Sequence, residues 1–186
     1  MKQKGFEGGW RLALYLAATL VLACGAAAAV LLNPWFSFSR NAMSDLGNPA
    51  NTRLYWVFNY TLIVAGLLYT AYFAAVFRRV RPRTALLLLV ASIFLVLVGV
   101  YHEGFGRIHF YVSVLYFVNG LAGLAAYWGE RGSLYGIATF YASLVVFAAH
   151  YTGAAAIGVS VPEVVASASF YLVPAVEIWR FRRRRK

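Results

Sequence analysis

The chain has 186 residues, of which 62% are hydrophobic and only 12% are charged. A soluble domain carries roughly twice that charged fraction, so the composition excludes an ordinary water-soluble fold and predicts an all-α integral membrane protein. The net charge of +11 does not indicate a nucleic-acid partner here, because the basic residues cluster at the ends of apolar runs, where they act as topology signals and lipid contacts.

Six apolar runs each approach the ~20 residues that a helix needs to cross a bilayer. They cover about residues 10–32, 54–77, 84–101, 107–128, 134–157 and 162–179, with polar, glycine or proline breaks between them. The sequence therefore predicts one domain, residues 1–186, folded as a six-transmembrane-helix bundle. The alternative for the first run is a cleaved signal peptide over residues 1–29, but the apolar stretch continues to Leu32, as a full span requires.

Lysine and arginine are distributed unequally between the two sides of this bundle. If the N-terminus is inside, only Arg40, Arg53 and Arg107 of the 17 basic residues fall outside. We therefore expect a cell-membrane protein with both termini cytoplasmic and anionic lipid headgroups along the cytoplasmic rim. Glu177, near the inner end of the sixth run, is expected to pair with the arginine tail. The sequence is compatible with a homo-oligomer as well as with a monomer.

The stretch NPWFSFSRNAMSDLGNP, residues 33–49, forms a polar-aromatic outer loop between helices 1 and 2. Five apolar residues recur among its polar ones: Trp35, Phe36, Phe38, Met43 and Leu46. This mixture is typical of a segment at the membrane interface. Non-helical backbone survives at that depth only where protein covers it or where it lines a wet cavity. We therefore expect residues 37–48 to fold back over the outer mouth of the bundle.

All three histidines fall in the outer half of the predicted bundle. His102 follows the third span, His109 lies in the first turns of the fourth, and His150 lies within the fifth. Ionisable groups at membrane depth are costly and are candidates for function. Each also has a structural interpretation: a solvated turn for His102, a cap or a hydrogen bond across helices for His109, and a hydrogen bond to a tyrosine or a backbone carbonyl for His150. Glu163, which follows Pro162, is interpreted as an acid that favours a helix N-terminus.

A candidate catalytic set combines the outer loop with the start of the fourth helix. Ser113 lies four residues after His109 and shares its helix face. Asp45 is expected to meet His109, so that Asp45 orients the imidazole, His109 acts as base and Ser113 as nucleophile. The structural alternative for Asp45 is a turn former.

A wider ligand-binding set and a metal set overlap with these residues. Ser44, Asn59 and His150 are predicted to bind ligand beside the catalytic set. The candidate zinc ligands are His102, His109, His150 and Asp45. Zinc would take three of them and leave one position open for an activated water. The cofactor stays unassigned, with zinc as the candidate.

Three segments resemble the prokaryotic membrane family filed as domain of unknown function 998: NPWFSFSRNAMSDLGNP, FNYTLIVAGLL and GVYHEGFGRIHFYVSVLYFV. The resemblance covers about residues 10–125 closely and the last two helices loosely. It implies that the family pattern falls at Ser44, Asp45, Leu46, Gly47, Asn59, His109 and Ser113. His102 departs from that pattern, since a proline or another loop residue is expected there. The family is also distantly similar to Frag/DRAM/Sfk-type proteins, which are associated with lipid handling and membrane organisation, but membership implies no activity.

Three classes of function fit these observations, and a transporter or channel is a fourth. The favoured one binds lipid or organises the membrane through the outer-leaflet polar cluster. The alternative is an intramembrane lipid hydrolase, with or without zinc, so whether the protein is an enzyme stays open. A haem or quinone redox protein would use His109 and His150 on different helices as axial ligands.

Overall fold

A computed structural model describes residues 9–77 and 82–183, and this part of the chain is helical without any strand. The six long helices are α1 (Gly9–Leu31), α2 (Tyr55–Val76), α3 (Pro82–Val100), α4 (Arg107–Arg131), α5 (Leu134–Tyr151) and α6 (Ser160–Arg183). All six are long and apolar enough to cross a membrane, which confirms the predicted bundle. Two short 3-10 helices, Met43–Gly47 and Glu103–Phe105, lie in the connections.

The predicted and observed helices differ most at the end of α5. The apolar run was expected to continue to residue 157, but α5 ends at Tyr151. Gly153 follows with φ of 70°, a left-handed conformation that ends a helix and that glycine adopts readily. The residues after it are alanine and isoleucine, so hydropathy alone does not reveal this break.

The helices pack mainly on their neighbours in sequence. α1 packs on α2, α2 on α3 and α3 on α4, while α5 and α6 pack on each other and on α4. Among the described residues, α1 and α6 pack on each other far less than either packs on its main neighbour, although Tyr15 of α1 reaches the backbone of Ala175 in α6. Contact between α2 and α6 comes from the rings of Tyr69 and Tyr171, which stack with centroids 3.8 Å apart.

Glycine allows α2 and α3 to approach closely. A Cβ at Gly66 would lie 2.9 Å from the Val96 backbone nitrogen, and a Cβ at Gly99 would lie 2.7 Å from the Asn59 carbonyl oxygen. Helices in a bilayer associate through such small residues, because lipid chains compete with larger apolar side chains for contact. This close packing fixes the position of Asn59 beside the outer loop.

Three connections share one end of the bundle, which we call the loop end: residues 32–54, 101–106 and 152–159. At the opposite end, Glu177 accepts hydrogen bonds from Arg131 of α4 at 2.7 Å and from the Tyr127 hydroxyl at 2.8 Å. Arg131 is thus a partner of Glu177 that the sequence did not predict, and most of the arginine tail, its expected partner, lies outside the described side chains. Lys2, Lys4, Arg78, Arg79, Arg81 and the tail after Arg183 lie outside the described residues.

Candidate functional site: a cavity beneath the outer loop

The outer loop folds back over the loop end of the bundle, as predicted. Leu46 is completely buried and Met43 is 9% exposed, so both side chains insert among the helices. The loop backbone also bonds to the start of α6: Gly158 donates to the Phe38 carbonyl at 2.9 Å, and Ser160 donates to the Asn41 carbonyl at 3.1 Å. The segment is therefore a fixed cover on the bundle.

Within this loop, the Ser-Asp-Leu-Gly motif has a structural explanation. Asp45 Oδ2 accepts from the Ala42 backbone N–H at 3.0 Å and from the Asn41 side-chain amide at 2.9 Å, which closes the 3-10 turn. The predicted contact between Asp45 and His109 is not among its hydrogen bonds. Asp45 therefore acts as the turn former of the alternative interpretation.

Gly47 and Asn59 fit together where the loop meets α2. The Asn59 amide donates to the Gly47 carbonyl at 2.9 Å, and Asn59 is only 6% exposed. A Cβ at Gly47 would clash with Asn59 Oδ1. Asn59, which was predicted to bind ligand, holds the loop on the bundle and is not among the residues that line the cavity described below.

Glu103, in the connection before α4, lies close to Asp45 of the outer loop. Glu103 accepts from the Asn48 side-chain amide at 3.3 Å. Burial raises the pKa of Glu103, and the neighbouring Asp45 carboxylate raises that pKa further. Deprotonation of Glu103 therefore works against the packing of residues 101–106 on the outer loop.

His109 and Ser113 form a hydrogen-bonded pair in the first turns of α4. His109 Nδ1 lies 2.8 Å from the Tyr101 carbonyl oxygen, and Nε2 lies 3.3 Å from the Ser113 hydroxyl. Because a carbonyl can only accept, Nδ1 carries the proton, and in a neutral ring Nε2 then accepts from Ser113. The Tyr101 carbonyl occupies the orienting role that was predicted for Asp45.

A cavity of about 330 Å³ lies beneath the loop and runs towards the middle of the bundle. Polar groups line its loop end: Ser44, His109, Ser113, Glu163 and Ser167. Tyrosine rings and Thr19 line its deep end, since Tyr69, Tyr116 and Tyr171 come from near the centres of their helices. The walls between are aliphatic and aromatic. Such a volume falls at the lower end of the ~300–1,000 Å³ typical of ligand pockets.

The cavity opens sideways between α1 and α6. On α6, Val164, Ala168 and Leu172 line it and are also exposed, and they follow one another at the four-residue spacing of a helix face. On α1, Ala23 lines it and is likewise exposed. Since the helix surfaces at this depth meet hydrocarbon, the opening faces the acyl chains of the bilayer.

Glu163 is the lining residue whose contact the sequence did not reveal. Its Oε2 accepts from the Met43 backbone N–H at 2.7 Å and so joins α6 to the outer loop. The helix-N-terminus interpretation also holds, because Glu163 lies in the first turn of α6. The signal in the sequence was a carboxylate placed level with a loop whose backbone donors need partners.

The other two histidines, His102 and His150, do not line the cavity and form hydrogen bonds elsewhere. His102 Nδ1 accepts from the Gly104 backbone N–H at 3.2 Å, and its ring packs on Tyr55 and Phe105. His150 Nδ1 lies 2.8 Å from the Ile157 carbonyl, where it closes the end of α5. His102 thus caps a short turn and packs on two aromatic rings, and His150 bonds to a backbone carbonyl, as its structural interpretation predicted.

The candidate metal ligands are not assembled as a centre. Among the described residues, no three histidine, cysteine, aspartate or glutamate side chains are placed to hold a metal ion. Ser44 alone of the three predicted ligand-binding residues lines the cavity, together with His109 and Ser113 of the predicted catalytic set. Of the predicted site residues, the structure thus places only Ser44, His109 and Ser113 along the cavity. Glu163, Ser167 and three tyrosines line it as well.

Six membrane-spanning helices around a lateral cavity define a multi-pass membrane protein. The sequence profile of the family described as "Protein of unknown function (DUF998)" matches residues 16–180, and the chain belongs to that family. The match confirms the resemblance seen in the first four helices and includes the last two. Neither curated proteins nor solved structures give a significant match.

Proposed function

We propose that the protein binds the hydrocarbon chain of a membrane lipid in the cavity between α1 and α6. The observation that carries this proposal is the lateral opening: exposed apolar residues of both helices continue into a cavity whose far walls are buried. A chain would enter from the bilayer and lie against Leu62 and Leu95, which are 6% and 4% exposed. Its headgroup would lie beneath the outer loop, beside Ser44, His109 and Glu163.

Two neighbouring alanines of α1 provide a direct test. Ala26 lines the cavity, whereas Ala27 is exposed and is absent from the lining. Ala26→Phe fills the space that the chain would occupy, while Ala27→Phe adds the same ring to the outer surface of the helix. We expect lipid extraction and mass spectrometry to find less bound lipid on purified Ala26→Phe than on Ala27→Phe or the wild type. Equal lipid content in the three proteins would contradict the proposal.

The loop end would face the outside of the cell membrane. This orientation is supported by charge, because the described arginines of the opposite end outnumber Arg40, Arg53 and Arg107 of the loop end. The basic end would then contact anionic lipid headgroups of the cytoplasmic leaflet.

A second candidate function, lipid ester hydrolysis, rests on the His109–Ser113 pair. Ser113 Oγ would attack the ester carbonyl while Nε2 takes its proton and passes it to the leaving alcohol, and water would then release the acyl group. The test is turnover of 1-oleoylglycerol and mass spectrometry for an acyl group on Ser113. Release of oleate that Ser113→Ala lowers ~10³-fold or more would support this function, and no release above a protein-free control would exclude it for this substrate.

A further inference from the structure

The described residues that line the cavity include an acidic side chain but no lysine or arginine. Glu163 is the one acid among them. The three arginines of the loop end, Arg40, Arg53 and Arg107, are all exposed. A chain with a net charge of +11 therefore has no cation along the inside of this cavity in its described part.

We infer that the ligand is a single-chain amphiphile with an uncharged, hydroxyl-bearing headgroup, and that Glu163 sets this preference. The inference rests on the proposed lipid binding and adds the headgroup class to it. A cavity of about 330 Å³ accommodates one hydrocarbon chain at the low end of the usual pocket range. The headgroup class follows from the groups that surround the loop end of the cavity.

These groups suit hydroxyls because they accept as well as donate. Glu163 uses Oε2 for the Met43 N–H, and Oε1 has no hydrogen bond with any described residue. The hydroxyls of Ser44 and Ser167 can donate or accept, and Ser113 retains a lone pair while it donates to His109. A glycerol-type headgroup presents the same mixture of donors and acceptors.

A phosphate or a fatty-acid carboxylate would meet the opposite situation. An anion in a partly dehydrated site needs a cationic partner or several donors, and an uncompensated one is strongly disfavoured. Here it would lie beside the Glu163 carboxylate, with no described arginine or lysine side chain within the lining. A phospholipid headgroup therefore belongs at the basic opposite end, outside this cavity.

The test compares two lipids that differ only in the phosphate: 1-oleoylglycerol and oleoyl lysophosphatidic acid. Equilibrium binding of each radiolabelled lipid to the purified full chain in phosphatidylcholine nanodiscs, corrected for partition into empty nanodiscs, gives the two affinities. We expect the wild type to bind 1-oleoylglycerol at least ~10-fold more tightly, a difference of about 1.4 kcal/mol. Equal affinities, or tighter binding of the lysophosphatidic acid, would overturn the inference while leaving lipid binding intact. Binding of neither lipid would overturn both.

Glu163→Gln isolates the charge from the hydrogen bond. The amide oxygen of glutamine can still accept from Met43, so the loop anchor is retained, but the repulsion of anions is lost. We expect this variant to bind lysophosphatidic acid more tightly than the wild type does. The difference between its affinities for 1-oleoylglycerol and for lysophosphatidic acid should therefore be smaller. The matched control is Glu103→Gln, which removes an acid of the loop end that does not line the cavity and should leave the difference unchanged. An unaltered preference in Glu163→Gln would refute the role of Glu163.

Discussion

The backbone N–H of Met43 donates to the Glu163 carboxylate at 2.7 Å, and this hydrogen bond joins residues 120 positions apart in the chain. It ties the outer loop to the first turn of α6 directly above the cavity. One carboxylate thus holds the cover in place with one oxygen and presents the other to the cavity. The relationship links the stability of the loop to the properties of the proposed binding site.

Glu163→Ala should release the outer loop from α6. Removal of the acceptor leaves the Met43 N–H without a partner in a buried position, which costs about 1–3 kcal/mol. We expect faster amide hydrogen exchange in residues 41–47 than in the wild type, and wild-type exchange in Glu163→Gln, which keeps an acceptor. Equal exchange in all three proteins would show that the Met43–Glu163 bond does not hold the loop.

The contact between Gly47 and Asn59 predicts a coupled effect of two substitutions. Gly47→Ala should destabilise the protein, because the new methyl group clashes with the Asn59 amide. Asn59→Ala should cost about 1–3 kcal/mol, because it removes the donor to the Gly47 carbonyl. In the double variant the clash is absent, so thermal unfolding should show a smaller loss than the sum of the two. Additive losses would mean that the two residues do not meet.

Glu103 predicts a pH dependence of stability. Burial and the Asp45 carboxylate raise the pKa of Glu103 from its usual value of 4.5, so the folded protein binds this proton more tightly than the unfolded chain. Stability from this group is therefore present at acidic pH and is lost as the pH rises from the usual pKa through the raised one. The melting temperature of the wild type should fall more than that of Glu103→Gln over this window. The same slope in both proteins would contradict the account.

The sequence predicted the helices well because each is a long apolar run, a signal that needs no knowledge of neighbours. The fold-back of the outer loop was also predictable, since aromatic and polar residues alternate there. The end of α5 was not, because its last apolar residues look like a continuing span. The break at Gly153 arises from a backbone conformation that hydropathy does not contain.

Side-chain partners within the site were harder to predict than the site's position. His109 was expected to meet Asp45, yet a backbone carbonyl at Tyr101 orients its ring. Every residue has such a carbonyl, so composition gives no sign of which one a histidine will use. For Glu163, the preference of acids for a helix N-terminus already explained the residue, so the sequence offered no reason to expect a further contact. Its hydrogen bond with Met43 depends on how the loop packs in three dimensions.

The proposed orientation predicts that the outer loop is exposed on the outside of the cell. Cys24 is the one cysteine and is exposed on α1, so it is first replaced by serine. Ser39→Cys on that background places a thiol on an exposed part of the loop. A membrane-impermeant maleimide should label it in intact cells. Labelling that requires permeabilised cells would reverse the assignment of the loop end to the outside.

The most direct measurement of the central claim is a photo-crosslink from inside the cavity. A 1-acylglycerol with a diazirine in its chain, irradiated with the purified protein, labels the residues that the chain touches. Lipid binding in the cavity predicts labels on Leu62 and Leu95, which line it and are almost inaccessible from the surface. Excess unlabelled 1-oleoylglycerol should remove these labels. Labels confined to outward residues such as Leu20 and Val145, which are 61% and 64% exposed, would contradict the claim.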